Sequence, residues 1–428
     1  MMKKFETICV RSGYDPKKGE PVVPPIVAST TYRYETTEQV HELFDLQAQG
    51  YFYSRIENPT NCVVERRVAE LEGGVGAVLT ASGQAATFFA ITNIAGAGDH
   101  IVAAKSIYGG SVNLIQNRLS KLGISCTFVD NDTAQTEIEA AVAPNTKLIF
   151  AETLSNPTLK VLDIETWARA AHSNSIPLIV DNTFSTPYFC QPFEFGADIV
   201  THSATKYLDG HALQVSGIIV DSGNFNWQQA HEKTGKFAEV VLADATYKNL
   251  SYVEEFGNMA YIVKLRVQLM RDIGATCSPF GAFLLQNGIQ TLPLRMKQHY
   301  KNALKVAKFL EPHNKVEGVN FPGLKSSQYY ASAQKYLPNG CSGVLSFEVK
   351  GGRDAAARTI NALKLVNIEV NVAEIRSCAL HPATSTNRQM TDEELLASGI
   401  KPGLIRLSVG LETVEDILQD LSTALEFA

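Results

Sequence analysis

The feature that most constrains the fold is an alternation of short apolar segments with segments of helical periodicity between residues 77 and 221. Strands that are apolar throughout are typical of parallel sheets covered by helices on both faces. The alternation therefore predicts a large α/β domain with a mostly parallel, doubly covered sheet. The predicted strands are AVLT (77–80), DHIVAA (99–104), ISCTFVD (124–130), KLIFAE (147–152), IPLIVD (176–181), ADIVTH (197–202) and GIIVD (217–221).

The rest of the chain predicts an N-terminal arm and a smaller C-terminal α/β unit. Turn-forming residues, such as PVVPP at 21–25, favour an extended arm packed on another surface. The stretch 283–311 is strongly helical, although Pro293 should bend or divide that helix. Thr413 and Asp416 should open a terminal helix as a capping box. Because 428 residues exceed what one hydrophobic core usually supports, we expect an arm over 1–60, a large domain over 61–285 and a C-terminal α/β domain over 286–428.

Composition and charge exclude several classes of function. The net charge of -6, from 38 basic and 44 acidic residues, does not suggest a nucleic-acid-binding surface. The N-terminus lacks the apolar run of a secretory signal, and no apolar run approaches the length of a membrane span. Seven scattered cysteines without a C-x-x-C pair indicate neither a disulfide framework nor a metal site. We therefore expect a cytoplasmic protein with reduced thiols and no nucleic-acid or membrane partner.

The segment LTASGQAATFF carries the first candidate binding site. A predicted strand ends at Thr80, Ser82 can cap the next helix, and Gly83 lets a ligand approach the backbone. Free N–H groups and the helix dipole then favour an anion, most naturally a phosphate. Taken alone, such a segment is more often an ordinary strand-to-helix turn. The chain has no G-x-G-x-x-G fingerprint in register, no P-loop and no zinc-protease helix, so a phosphate pocket here lacks a nucleotide signature.

Two further predicted strands end in residues suited to chemistry. Asp181 lies at the sheet edge where open α/β folds bind ligands, either as a cap for the next loop or as a partner for a cationic ligand atom. Lys206 follows Ser203 and Thr205 after the next strand. Most lysines are merely solvated, but an amine beside a phosphate cradle and an aspartate predicts a Schiff-base site for pyridoxal phosphate. At an effective dielectric of about 20, an aspartate about 4 Å from a ring cation attracts it by roughly 4 kcal/mol, or about three pKa units.

The order of these segments resembles that of a known enzyme family. YSRIENPT, ASGQAA, the NPTLKVLDI run, DNTF, SATKY and RLSVGLE are together similar to the pyridoxal-phosphate-dependent enzymes of cysteine and methionine metabolism, over residues 5–425. DNTFSTPY, HSATKYLDGH, IIVDSGNFNW, HPATST and PGLIRLSVGLE most resemble the O-acetylhomoserine sulfhydrylase branch. The resemblance implies an aspartate aminotransferase-like α/β fold (fold type I), with a mostly parallel sheet in the large domain and a smaller C-terminal α/β domain.

The resemblance also implies a role for each candidate residue. Lys206 would carry the cofactor as a Schiff base, Asp181 would hold its pyridine nitrogen, and Tyr108 would stack on its ring and assist proton transfer. Arg406, in LIRLSVG, carries a planar guanidinium that suits bidentate capture of a substrate carboxylate. The remaining implied residues are Ser82, Gly83, Gln84, Ser203 and Thr205 around the phosphate, Tyr53 and Arg55 at the phosphate of a neighbouring subunit's cofactor, and Asn156 and Ser377 beside the carboxylate.

The implied reaction is a γ-replacement in which O-acetyl-L-homoserine and a sulfur nucleophile give homocysteine and acetate. The alternatives within the family are a cystathionine γ-synthase reaction and γ-elimination, as in methionine or cystathionine γ-lyases. Gly110 stands where methionine γ-lyases usually carry cysteine, which counts against the latter. A non-catalytic α/β binding protein is the alternative from another class.

Partners and substrate details follow less directly from the resemblance. Active sites that need two chains imply a homo-oligomer, typically a tetramer built as a dimer of dimers. The sulfur donor stays open between sulfide, methanethiol and the thiocarboxylate of a sulfur-carrier protein, and so does the acyl group. The departures from the family pattern fall on the substrate side: VAEIRSCALHP, for example, lacks the paired glycines often found before HP.

Overall fold

The computed structural model describes residues 3–397 and 399–428. Its largest sheet has seven strands, and all seven strands predicted from the sequence belong to it. They are β1 (Gly76–Thr80), β2 (His100–Ala104), β3 (Ser125–Val129), β4 (Thr146–Glu152), β5 (Leu178–Asp181), β6 (Ile199–His202) and β7 (Gly217–Asp221).

The strand order of this sheet is β1-β7-β6-β5-β4-β2-β3. Only β7 runs against its neighbours β1 and β6, and the other adjacent pairs are parallel. The predicted α/β class with a mostly parallel sheet is therefore confirmed. Since β1, β4, β5 and β6 point the same way, their carboxyl ends meet at one edge of the sheet, where the side chains that follow them converge.

A second sheet lies in the C-terminal part of the chain. Its strands are β8 (Val316–Asn320), β9 (Val344–Val349), β10 (Asn367–Ile368), β11 (Cys378–Leu380) and β12 (Leu404–Ser408). The order is β10-β11-β12-β9-β8, with only the β10–β11 pair parallel. This sheet places the predicted carboxylate-binding Arg406 on an inner strand, between β11 and β9.

Helices cover both sheets. Within the described residues, none is both long and apolar enough to cross a lipid bilayer. The α-helices are α1 (Phe5–Arg11), α2 (Thr37–Phe44), α3 (Pro59–Glu72), α4 (Gly83–Thr92), α5 (Gly109–Leu114), α6 (Gln135–Ala140), α7 (Ile164–Ser173), α8 (Thr186–Phe189), α9 (Trp227–Thr234), α10 (Ala238–Val241), α11 (Tyr252–Phe256), α12 (Ala260–Leu265), α13 (Arg271–Ile273), α14 (Pro279–Gln290), α15 (Leu292–Leu310), α16 (Tyr330–Tyr336), α17 (Gly352–Ala362), α18 (Asp392–Ala397) and α19 (Val414–Leu425).

Proline and capping residues explain where several helices begin and end. Pro293 lies in the first turn of α15, so the long helical stretch is divided at Thr291, as predicted. The first turn tolerates proline because its N–H groups have no intrahelical partner. The predicted capping box at the start of α19 is wrong in its detail, because the Thr413 side chain makes no cap hydrogen bond.

The N-terminal arm is less extended than predicted, since it contains α1 and α2. Helix α1 packs against α3 and buries Cys9, and the Arg67 Nε on α3 donates a hydrogen bond to the Ser12 carbonyl at 2.9 Å. The first two residues of the arm lie outside the described residues. The domain division stays a prediction, and its boundary at 285–286 falls inside α14.

Candidate active site

A cavity of about 270 Å³ lies at the carboxyl edge of the central sheet and is closed on one side by the second sheet. It brings together ten of the predicted site residues. They are Ser82, Gly83, Gln84, Tyr108, Asn156, Asp181, Ser203, Thr205, Lys206 and Arg406. The other lining residues, which the sequence analysis does not single out, are Thr87, Ser111, Glu152, Leu154, Thr183, Phe184, Val215, Val370 and Val372.

The amino end of α4 forms an anion cradle on one side of the cavity. The Ser82 Oγ accepts a hydrogen bond from the Ala85 N–H at 3.1 Å and caps the helix. A Cβ at Gly83 would lie 2.6 Å from the Ser203 Cβ, so only glycine allows this approach of the two segments. Hydroxyl groups, free helix N–H groups and the helix dipole thus face one small volume, which fits a phosphate.

Two carboxyl groups lie side by side at the ends of β4 and β5. Glu152 and Asp181 are partners in the strand register, and both line the cavity. The Asp181 Oδ1 accepts a hydrogen bond from the Thr183 N–H at 2.9 Å, and the Glu152 Oε1 accepts one from the Tyr108 N–H at 2.5 Å. Burial raises the pKa of both carboxyl groups, and the negative charge of Asp181 raises that of Glu152 further. A cationic ligand atom would favour the ionised form of this pair.

Lys206 supplies an amine that is less basic than that of an ordinary lysine, so a larger fraction of it is unprotonated near neutral pH. Burial, and then the positive charge of Arg406, lowers the pKa of the Lys206 amine from its usual 10.5 to about 8. The Nζ donates a hydrogen bond to the Asn371 Oδ1 at 2.6 Å. An amine with a depressed pKa is what addition to an aldehyde requires.

Arg406 lies on the opposite wall, where β12 presents it to the cavity. Its side chain is largely buried, and burial lowers the pKa of the guanidinium below its usual value. The Nη2 donates hydrogen bonds to the backbone carbonyls of Val370 at 3.2 Å and Asn371 at 3.0 Å. A guanidinium in such a position can still bind a carboxylate through its other nitrogen atoms.

Three of the predicted site residues do not line the cavity. Tyr53 is exposed, and the Arg55 guanidinium carbon lies 5.1 Å from the centre of the Tyr53 ring. Ser377 is buried, where its Oγ donates to the Glu412 carboxylate and accepts from the Gly410 N–H, both at 2.9 Å. Tyr53 and Arg55 thus lie away from the cavity, and Ser377 is engaged by the segment that follows β12.

The sequence analysis missed Glu152 and Asn371, which contact predicted site residues. Glu152 ends KLIFAE as Asp181 ends IPLIVD, so the same signal of an acid closing an apolar strand was present. Asn371 belongs to an irregular segment between two very short strands, where periodicity carries no information. Within the described residues, no group of three or more His, Cys, Asp or Glu is arranged to hold a metal ion.

Comparison with known proteins identifies similar chains along the whole length. Residues 6–426 match the model of the Cys/Met metabolism PLP-dependent enzymes. An O-acetyl-L-homoserine sulfhydrylase from Leptospira meyeri is 44% identical, with 99% of this chain and 97% of that protein aligned. A homocysteine synthase from Schizosaccharomyces pombe is 43% identical, with 99% of this chain and 98% of that protein aligned.

A solved structure has the same fold. It is described as an O-acetylhomoserine (thiol)-lyase from Campylobacter jejuni with a pyridoxyl-lysine monophosphate, and it aligns with a TM-score of 0.94 at 35% identity over 99% of this chain and 100% of that chain. The aspartate aminotransferase-like fold class expected from the resemblance is confirmed by these matches. The anion cradle also fits the phosphate of pyridoxal phosphate, the buried acids fit its ring nitrogen, and the Lys206 amine fits its aldehyde. The chain therefore belongs to the pyridoxal-phosphate-dependent enzymes of cysteine and methionine metabolism.

Proposed function

We propose that the protein catalyses a γ-replacement in which sulfide displaces acetate from O-acetyl-L-homoserine to give L-homocysteine. With methanethiol as the sulfur donor, the product would be methionine. The proposal is supported by relatives with O-acetylhomoserine sulfhydrylase and homocysteine synthase names that cover nearly the whole chain. The single observation that carries it is the meeting of Lys206, Asp181 and Arg406 on one cavity.

The predicted site residues at the carboxyl edge of the large sheet would each hold a part of the cofactor. When bound, pyridoxal phosphate supplies an electron sink for charge that develops at the substrate α carbon. Asp181 would keep the ring nitrogen protonated, because an ionised carboxylate favours the adjacent cation. Tyr108 would stack on the ring and assist proton transfer. Ser82, Gly83, Gln84, Ser203 and Thr205 would hold the phosphate.

Lys206 and Arg406 act on the substrate. Lys206 would supply the amine that holds the aldehyde carbon of the cofactor, and this amine, when free, would move protons at the substrate α and β carbons. A pKa of about 8 lets the amine both take and return a proton near neutral pH. Arg406 binds the α-carboxylate, with Asn156 beside it, and this fixes the α carbon relative to the Lys206 Nζ.

Tyr53 and Arg55 complete the site of a second subunit. Both lie outside their own chain's cavity, and Arg55 is positioned over the Tyr53 ring. We propose a cytoplasmic homo-oligomer, a tetramer built as a dimer of dimers. Mixing an inactive Arg55→Ala variant with an inactive Lys206→Ala variant should restore activity, because some hybrid sites carry neither change. Unchanged inactivity after subunit exchange, verified by native mass spectrometry, would contradict shared sites.

The elimination reaction is the second candidate, and one contact argues against it. A Cβ at Gly110 would lie 2.3 Å from the Tyr108 ring and 2.5 Å from the Gln84 amide nitrogen, so the cysteine typical of methionine γ-lyases would require these two side chains to move. We therefore expect replacement to dominate over release of ammonia and 2-oxobutanoate.

An assay with defined substrates tests the proposed function. O-acetylhomoserine should give homocysteine with sulfide, and release of 2-oxobutanoate should fall when sulfide is added. Acetyl, succinyl and phospho esters of homoserine, each paired with sulfide, methanethiol or a thiocarboxylated sulfur-carrier protein, would identify the acyl group and the donor. Equally fast release of 2-oxobutanoate with and without a sulfur donor would favour a lyase instead.

A further inference from the structure

A three-residue segment that crosses the cavity connects the two walls of the site. The segment, residues 370–372, is called the strap here and lies in the connection between β10 and β11. The Val370 and Val372 side chains line the cavity, and Val370 is 75% exposed whereas Val372 is 3% exposed. The strap thus forms the rim of the cavity opposite the central sheet.

Asn371 in the strap contacts both groups that are proposed to act on the substrate. Its side-chain Oδ1 accepts a hydrogen bond from the Lys206 Nζ at 2.6 Å. Its backbone carbonyl accepts one from the Arg406 Nη2 at 3.0 Å, and the Val370 carbonyl accepts a second from the same nitrogen at 3.2 Å. One residue therefore fixes the position of the amine relative to the guanidinium.

The strap uses only part of the Arg406 guanidinium. Both hydrogen bonds to the strap come from Nη2, and the Nη1 and Nε atoms have no hydrogen-bond partner in the part of the chain that the structure describes. Because Cδ lies between Nη1 and Nε, these two nitrogens do not share an edge, and each offers a separate donor to a carboxylate. A carboxylate and the strap can therefore be bound by Arg406 at the same time.

The strap is held firmly at the end that follows Asn371. The Ala373 N–H donates to the Ser408 Oγ at 2.8 Å, and the Ile375 N–H donates to the Gly210 carbonyl at 2.9 Å. Ala373 has a φ of +64°, in the left-handed region that favours glycine. A non-glycine residue keeps this conformation only where surrounding contacts impose it, so the path of the strap is over-determined.

We propose that Asn371 is a positioning residue: its carbonyl orients Arg406 towards the substrate carboxylate while its side-chain amide holds the freed Lys206 amine beside the substrate α carbon. The inference rests on the proposed function, which requires that the lysine be freed. Misplacement of a reacting group by about 1 Å can cost roughly 100-fold in rate. Asn371 limits such misplacement, because one residue contacts both the Lys206 amine and Arg406.

The charges around Lys206 set the pH dependence that tests this role. Arg406 lowers the pKa of the amine and the Cys378 thiol raises it, while burial is the largest influence. The other titratable groups that line the cavity are Glu152, Asp181 and Tyr108. An Asp at position 371 would add a negative charge at hydrogen-bond distance and raise the pKa of the amine, whereas an Ala would remove an acceptor that favours the charged form.

The first test measures the amine without turnover. Full-length apoenzyme is mixed with pyridoxal phosphate, and the rate of covalent linkage is followed by absorbance across pH. The midpoint should lie near pH 8 for the unchanged protein. It should rise by about one unit or more in Asn371→Asp and fall in Asn371→Ala. Ile368→Ala, an exposed change at the strand before the strap, is the matched control and should leave the midpoint in place.

The second test measures positioning in the holoenzyme. L-2-aminobutanoate has no leaving group, so exchange of its α proton with D₂O, followed by NMR, reports the lysine alone. Asn371→Ala should slow exchange roughly 10- to 100-fold. In this variant the dissociation constant of L-2-aminobutanoate should change less than the exchange rate, because the backbone carbonyls of the strap are kept. Thermal unfolding of each variant verifies folding.

Unchanged midpoints and exchange rates in both Asn371 variants would overturn the proposal, and so would an equal effect of Ile368→Ala. Loss of homocysteine formation with normal proton exchange would instead contradict the proposed function and leave this role intact.

Discussion

Two buried lysines with the same depressed pKa occupy very different regions of the molecule. Lys206 follows β6 at the cavity, and Lys264 lies on α12, 4% exposed and outside that cavity. Burial lowers the pKa of each amine to about 8. The Lys264 Nζ donates to the Asn93 carbonyl at 2.7 Å and so stabilises the carboxyl end of α4, whose amino end forms the anion cradle.

The comparison teaches that a shifted pKa does not by itself mark a reactive residue. Burial is the largest influence on the pKa of both amines, and the groups around them differ. Lys264 contacts the carboxyl end of α4, outside the cavity. Lys206 meets an open volume with an anion cradle, a buried acid and a guanidinium, so its amine has a reaction partner to reach.

Replacing each lysine by methionine should give the largest contrast. Lys206→Met should lower homocysteine formation roughly 1000-fold or more, because both the covalent attachment and the general base are lost. Lys264→Met should stay within roughly threefold, because that amine contacts only α4. Parallel steady-state assays, with circular dichroism to verify folding, would measure the contrast. Equal losses of activity in the two variants would mean that burial, and not the position at the cavity, determines the importance of each lysine.

Replacing Arg406 separates substrate binding from cofactor binding. Arg406→Ala should lower kcat/KM roughly 100-fold, mainly through KM for the amino acid, since a charge-assisted contact with its carboxylate is lost. The absorbance of the bound cofactor should stay as in the unchanged protein. Arg406→Lys should recover little, because a single ammonium does not reproduce the planar pair of donors. Weaker binding of the cofactor with an unchanged KM for the amino acid would show that Arg406 acts on the cofactor and not on the substrate.

Replacing Glu152 tests the acid that the sequence analysis missed. Burial raises the pKa of Glu152 above its usual 4.5, so the folded protein keeps a proton that the unfolded chain releases. This acid therefore lowers the stability of the fold as the pH rises from 4.5 to neutral. Glu152→Gln removes the titration and keeps an oxygen acceptor for the Tyr108 N–H. The free energy of unfolding of this variant should exceed that of the unchanged protein by an amount that grows as the pH rises over that interval. Its activity should stay within roughly tenfold of the unchanged protein.

Glu152→Leu is the matched comparison, because it also removes the acceptor for Tyr108. It should lose more activity than the Gln variant, and chemical denaturation at several pH values would complete the measurement. A stability difference that stays constant from pH 4.5 to 7 would show that Glu152 is ionised in the folded protein.

Ser377 should give the smallest effect. Its hydroxyl bonds Glu412 and the Gly410 N–H, so Ser377→Ala should lower the free energy of unfolding by about 1–2 kcal/mol. We expect KM for O-acetylhomoserine to change less than twofold. A several-fold rise in KM at unchanged stability would restore the role beside the carboxylate that the resemblance implies.

The central sheet could be predicted because apolar strands and their terminal residues carry local signals. Asp181 closes β5 and Lys206 follows β6, and the pairing of these two strands then brings them together. The side of the cavity that is formed by the second sheet and the strap could not be predicted in this way. Asn371 meets Lys206 across 165 residues, through a segment without periodicity, and only tertiary packing fixes that contact. The helices of the arm were missed for the opposite reason, since turn-forming residues around them hid two short amphipathic stretches.

The most direct test of the central claim is to trap the cofactor on the protein. Borohydride reduction of the holoenzyme, followed by digestion and peptide mass spectrometry, should place a pyridoxyl phosphate group on Lys206 and on no other lysine. The group should be absent from the Lys206→Met variant and present in Lys264→Met. A label on Lys264, or protein without bound cofactor after incubation with pyridoxal phosphate, would contradict the account.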